Sequence, residues 1–100
     1  MRPQGLDALG SAILGRLEAK NARREVIMGL SRQLVQQAAR AIRAVHRGEW
    51  PEAESTLTAA QALMDRMHEA AEGHPELQSA GYMLDAQKEL AEAHLTLALC

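Results

Sequence analysis

The run IMGLSRQLVQQAARAIRAV, Ile27 to Val45, decides the fold. Its apolar residues Ile27, Leu30, Leu34, Ala38, Ala41 and Val45 recur at steps of three and four, the repeat of one face of an α-helix. At about 100° per residue, Arg32, Arg40, Arg43 and Arg47 fall on the opposite face, beside His46. One face is made for burial and the other for water or anions.

Downstream, Gly48 and Pro51 bracket a break, and Gly73, His74 and Pro75 mark a second. Proline suits the first turn of a helix, where its missing N–H costs nothing, and glycine suits the residue just past a helix end. The pattern therefore predicts three helices: about Leu6 to Arg47, about Pro51 to Glu72, and about Pro75 to the chain end. Nothing reads as a strand. The fold class is all-α, an antiparallel bundle of three helices with the first one long, in a single domain over residues 1–100.

Upstream, Leu6, Leu9 and Ile13 begin a stripe that would continue through Arg16, Lys20 and Arg24. Apolar and basic residues share that face. Either the helix breaks near Asn21, or it projects beyond its own core towards a partner. Glycines at 10, 15 and 29 each cost about 1 kcal/mol inside a helix. The second helix repeats Leu57, Ala60, Met64, Met67 and Ala71, a core stripe, with Trp50 at its entrance. The third carries two apolar rows. One is Met83, Ala86, Leu90, Ala93 and Leu97; the other is Leu84, Ala91, Leu95 and Ala98. Between them runs Asp85, Glu89 and Glu92. Such a helix is too apolar to lie alone on a monomer surface. The pattern stops mid-repeat in LTLALC, so the chain is expected either to continue or to bury this end against other subunits.

The composition agrees. The chain has 100 residues, 47% hydrophobic and 24% charged, with no Phe and one Cys. A core without large aromatics favours close-packed helices. A single cysteine excludes a disulfide framework and a multi-cysteine zinc site. No stretch nears the roughly 18 apolar residues of a membrane span. MRPQGLDALG has no apolar signal run, which places the chain in the cytoplasm. The net charge of -2 conceals an asymmetry. Residues 1–50 hold nine basic against four acidic side chains, net +5, and residues 51–100 hold two against nine, net -7. That division suits phosphate binding or self-association of opposite halves, and equally an uneven solvated surface.

Two constellations could carry chemistry. Asp85, Glu89 and Glu92 repel one another on one helix face, and Mg²⁺ would relieve this; a solvated acidic stripe paired with Lys88 or with arginines of the first helix reads as well. Arg32, Arg40, Arg43 and Arg47 could grip phosphate oxygens by charge and paired hydrogen bonds, or form salt bridges to the acidic half. Aromatic residues are not interleaved with them, so recognition would be of backbone rather than base. His46, His68, His74 and His94 make no metal pattern, and no phosphate loop or catalytic triad spacing occurs.

Two long segments resemble the translin family, prokaryotic type. They are ARREVIMGLSRQLVQQAARAIRAVHRGEWPEAESTLTAAQALM (Ala22 to Met64) and HPELQSAGYMLDAQKELAEAHLTLAL (His74 to Leu99). The resemblance covers nearly all of the chain after about residue 20, as the N-terminal part of a longer family domain. It implies an all-helical protein that forms closed oligomers, alone or with translin-type partner subunits, and binds single-stranded RNA or DNA. It also implies a Mg²⁺-dependent endoribonuclease. KELAEA is similar to the family's catalytic glutamate motif, which makes Glu89 and Glu92 the catalytic and metal-binding pair, with Asp85 as a further ligand. The family's remaining catalytic aspartate has no counterpart in this chain. Where eukaryotic relatives have a basic, aromatic stretch, this chain reads LQSAGYMLDAQ, so binding would fall to Arg32, Arg40, Arg43 and Arg47. The alternative function is a helical protein-interaction scaffold without nuclease activity.

Overall fold

A computed structural model describes residues 3–100 and is helical from end to end, with no strand among those residues. Helix α1 spans Pro3–His46, α2 Trp50–Ala71, α3 Pro75–Gln78 and α4 Gly81–Leu99. The all-α bundle expected from the periodicity is present, with one correction. The expected third helix is two pieces. Ala80 is extended at ψ 148°, and Ser79 N–H donates to Pro75 O at 3.1 Å and Ala80 N–H to Leu77 O at 3.4 Å, closing α3. The short α3 plugs the end of the bundle with Leu77, which is buried, and α4 then starts afresh along α1.

The core is the seam read from the sequence. Ile27, Leu30, Leu34, Ala38 and Ala41 of α1 face Leu57, Ala60, Met64, Met67 and Ala71 of α2. Met83, Ala86, Leu90 and Ala93 of α4 close the third side. The other α4 row stays outside, with Leu84 and Leu95 more than half exposed. Thus α4 uses one of its two apolar rows within this chain.

Helix α1 does not break at Asn21. It is one continuous rod of roughly 66 Å at 1.5 Å per residue, matching the 70 Å long axis of the molecule. The bundle is only 18 × 15 Å in cross-section. From Gly5 to Ala22 every side chain is exposed, so the first half of α1 projects as an arm. Leu6, Leu9, Ile13, Leu14 and Leu17 are each about half exposed or more. The stripe also shifts by one residue from its expected course: Arg23 is half-buried at the root of the arm, while Arg24 is exposed.

The turn after α1 depends on Gly48, which sits at φ +72°. There, Gly48 N–H donates to Val45 O at 3.0 Å and Glu49 N–H to Ala44 O at 2.9 Å, the paired bonds of a Schellman ending. Gly73, at φ +76°, reverses the chain after α2.

Two expectations follow for stability, both read from urea unfolding followed by helical circular dichroism. Gly48→Ala forces a side chain into the left-handed region and costs about 1–2 kcal/mol. Met67→Ala, at a fully buried position, costs about 2–5 kcal/mol, whereas Val26→Ala, on the exposed side of α1, changes stability by less than about 0.5 kcal/mol.

Candidate nucleic-acid interface

The four arginines singled out by periodicity, Arg32, Arg40, Arg43 and Arg47, are all exposed. They share the outer face of α1 because its inner face, Ile27 to Val45, is consumed by packing. Their surroundings differ. Arg47 makes a two-pronged contact with Glu49, Nε to Oε1 at 3.0 Å and Nη2 to Oε2 at 3.2 Å. Arg40 Nη2 lies 3.6 Å from Glu52 Oε1. Among the described residues, Arg32 and Arg43 have no carboxylate within 4.0 Å. The face is therefore half neutralised from the start of α2 and half open. Exposed pairs of this kind are worth about 0–1 kcal/mol, so an incoming phosphate can compete for Arg40 and Arg47.

The hydrogen bond from Arg47 holds the Glu49 carboxyl below its ordinary range, and the same bond raises the Arg47 guanidinium. Trp50 opens α2 three residues after Arg47 and is 40% exposed. The sequence placed it only at a helix entrance. Its exposure comes from the geometry of the turn, which no periodicity reports.

The acidic residues stand apart from this face, on α4. Asp85 and Glu92 are exposed and Glu89 is half-buried. Lys88 Nζ lies 4.0 Å from Glu92 Oε1. Among the described residues, no three His, Cys, Asp or Glu side chains converge as a metal-binding group. The fit to Mg²⁺ is accordingly poor. Carboxylates strung along one helix with a lysine at one end lack the opposing oxygens that an octahedral ion needs.

Other polar groups knit the bundle in ways the sequence did not reveal. Arg23 Nη1 donates to Ala70 O at 3.3 Å and Lys20 Nζ lies 3.8 Å from Glu76, so the root of the arm is tied to the end of α2 and to α3. Across α2 and α4, Gln87 Nε2 lies 3.0 Å from His68 Nε2, and His94 Nε2 donates to Gln61 Oε1 at 3.2 Å. These histidines act as bridges between helices.

No helix of the described residues is long and apolar enough to cross a membrane. Comparison with protein-family models, with curated proteins and with solved structures gives no match.

The Arg47–Glu49 pair has a measurable signature. Because its folded value is lowered, Glu49 favours the folded state above the ordinary glutamate range, and that contribution fades as pH falls through the lowered value. In a carbon-detected NMR titration, the Glu49 midpoint should move up in Arg47→Ala, part of the way to the ordinary carboxylate range, because the hydrogen bond with Glu52 also lowers it. An unmoved midpoint would show that the pair does not persist in solution.

Proposed function

We propose that this chain is a cytoplasmic, self-associating helical protein of translin type that binds single-stranded RNA or DNA through the arginine face of α1. The observation that supports this most directly is the open pair Arg32 and Arg43, exposed on a rigid helix and flanked by Arg40 and Arg47. A straight row of guanidinium groups suits the backbone of an extended strand. Each can offer phosphate two parallel N–H donors. Trp50, three residues beyond Arg47 and 40% exposed, is the aromatic available for stacking, which tolerates any base. The binding is therefore read as backbone-directed, with little sequence preference.

The resemblance to translin extends the reading to Mg²⁺ and cleavage at Glu89 and Glu92. The donor set on α4 fits that ion poorly, so the function proposed for this chain is binding.

A second reading, a protein-interaction scaffold, is favoured by a different observation. Leu6, Leu9, Ile13, Leu14 and Leu17 lie exposed along the arm. Solution mass measured together with oligonucleotide affinity separates the two. An oligomer indifferent to RNA and DNA would favour the scaffold.

For the arginine face, counterion release sets the expected numbers. With two to four phosphate contacts, raising salt from 50 to 200 mM should weaken binding of a single-stranded oligonucleotide by about 7- to 50-fold. Arg43→Ala and Arg40→Ala should each weaken it further and flatten the salt slope. Glu49→Gln, which releases Arg47, should tighten it. Fluorescence of Trp50, the single tryptophan, reports each titration. Affinity unchanged in both arginine variants would count against this face.

A further inference from the structure

We propose that the arm of α1, Leu6 to Leu17, docks in the groove between α2 and α4 of a second copy of this chain, and that the exchange is reciprocal. This deepens the self-association in the proposed function and rests on that part of it; it does not depend on nucleic acid. The arm cannot satisfy itself. A single helix of this length is marginal in water without packing, and its apolar stripe meets no other part of its own chain.

The groove is an open trough of about 600 Å³, lined by Leu57, Thr58, Ala62 and Asp65 of α2 with His94 and Leu97 of α4. Thr58 and Ala62, both exposed on its α2 wall, are small side chains that leave width for an aliphatic one. Beyond it continues the unused row of α4, with Leu84 and Leu95 exposed.

Register points to a second copy as the occupant. The bond from Arg23 to Ala70 O sets the root of the arm level with the end of α2. Counted outward from Arg23, Leu17 is six residues away and Leu6 seventeen. Counted back from Ala70, Asp65 is five residues away and Glu54, at the far end of the groove, sixteen. At 1.5 Å per residue, the arm strip runs from about 9 to 26 Å from the junction and the groove from about 8 to 24 Å, so the two overlap over nearly their whole length. Two copies set antiparallel with their junctions level therefore bring each arm alongside the other's groove. A two-fold axis satisfies both contacts at once, as a closed dimer requires.

Charge agrees with that register. Arg16 comes within about 3 Å of Asp65 along the axis; Lys20, near the level of His68, already lies 3.8 Å from Glu76 of its own chain. Among the described residues, Glu54, Asp65 and Glu69 have no basic side chain within 4.0 Å in their own chain. Pairing arm with arm would instead leave the groove, Leu84 and Leu95 uncovered.

Sedimentation equilibrium of the full chain, run without nucleic acid, tests the docking. The expected species is a dimer of about 22 kDa, twice the 10.9 kDa chain mass. Ile13→Glu on the arm and Ala62→Arg in the groove are exposed substitutions, so helical circular dichroism should be kept while each gives monomer. Arg16→Glu should weaken the dimer at least tenfold, and adding Asp65→Arg should restore it. In a Cys100→Ser background, Ile13→Cys chains mixed with Ala62→Cys chains should form an interchain disulfide on mild oxidation. A monomeric wild-type chain would overturn both the docking and self-association. A dimer lost in Ile13→Glu but indifferent to Ala62→Arg would mean arm-to-arm pairing and overturn the docking alone. An oligomer surviving both substitutions would do the same. Oligonucleotide binding by Arg43→Ala is scored separately, so failure of the arginine face leaves this result readable.

Discussion

Everything in this molecule is arranged along the inner face of one helix. The seam from Ile27 to Val45 is what α2 and α4 pack upon, and α2 and α4 meet each other less extensively than either meets α1. Much of the contact is alanine: Ala38, Ala41, Ala44, Ala53, Ala60, Ala71, Ala86 and Ala93 are all buried. Alanine lets helix backbones approach closely and loses no side-chain entropy on burial, but it removes little apolar area from water. The larger contributions come from few residues, chiefly Ile27, Leu34, Met67 and Met83, which are completely enclosed. A thin bundle of this kind depends on the length of its seam rather than on the thickness of its core. For the same reason it cannot cover the second row of α4.

Electrostatics contributes to placement more than to stability. The basic first half meets the acidic second half through Lys20–Glu76 and Arg40–Glu52, both solvent-exposed at 3.8 and 3.6 Å. Pairs so exposed add little free energy. Their effect is to decide which cations are already occupied, and the open remainder on the outer face of α1 is Arg32 and Arg43. The asymmetry visible in the composition thus resolves into a few cross-helix contacts and a residual basic strip.

The parts of the fold that could be read from sequence are those set by local rules. Gly48, Pro51, Gly73 and Pro75 marked both main turns because left-handed φ and the missing proline N–H restrict where such residues fit. The seam was legible because 3.6-residue periodicity is a property of the chain itself. The break between α3 and α4 was not. The run LQSAGY keeps apolar residues at acceptable helical spacing, and neither the extended Ala80 nor the burial of Leu77 has a signature in that spacing. The same limit applies to Arg23, whose burial follows from reaching Ala70 across 47 positions. At the candidate site, the shared face of the four arginines was readable, but the neutralisation of two of them was not, because it depends on how α2 leaves the turn. The acidic triplet on α4 was readable as a strip, and sequence spacing could not tell whether other elements would close around it.

The unbroken course of α1 has a consequence for how this protein tolerates length changes. Arm and bundle are phase-locked through one rigid rod, so the angle between the apolar stripe of the arm and the arginine row is set by the number of residues between them. Deleting a single residue near Asn21 would rotate the arm by about 100° relative to the bundle without disturbing any core contact. Inserting seven would lengthen the rod while turning it by only about 20°. The spacer between Leu17 and Ile27 therefore acts as an angular gauge set by its residue count, with Lys20 and Arg23 the positions in it whose identity also matters.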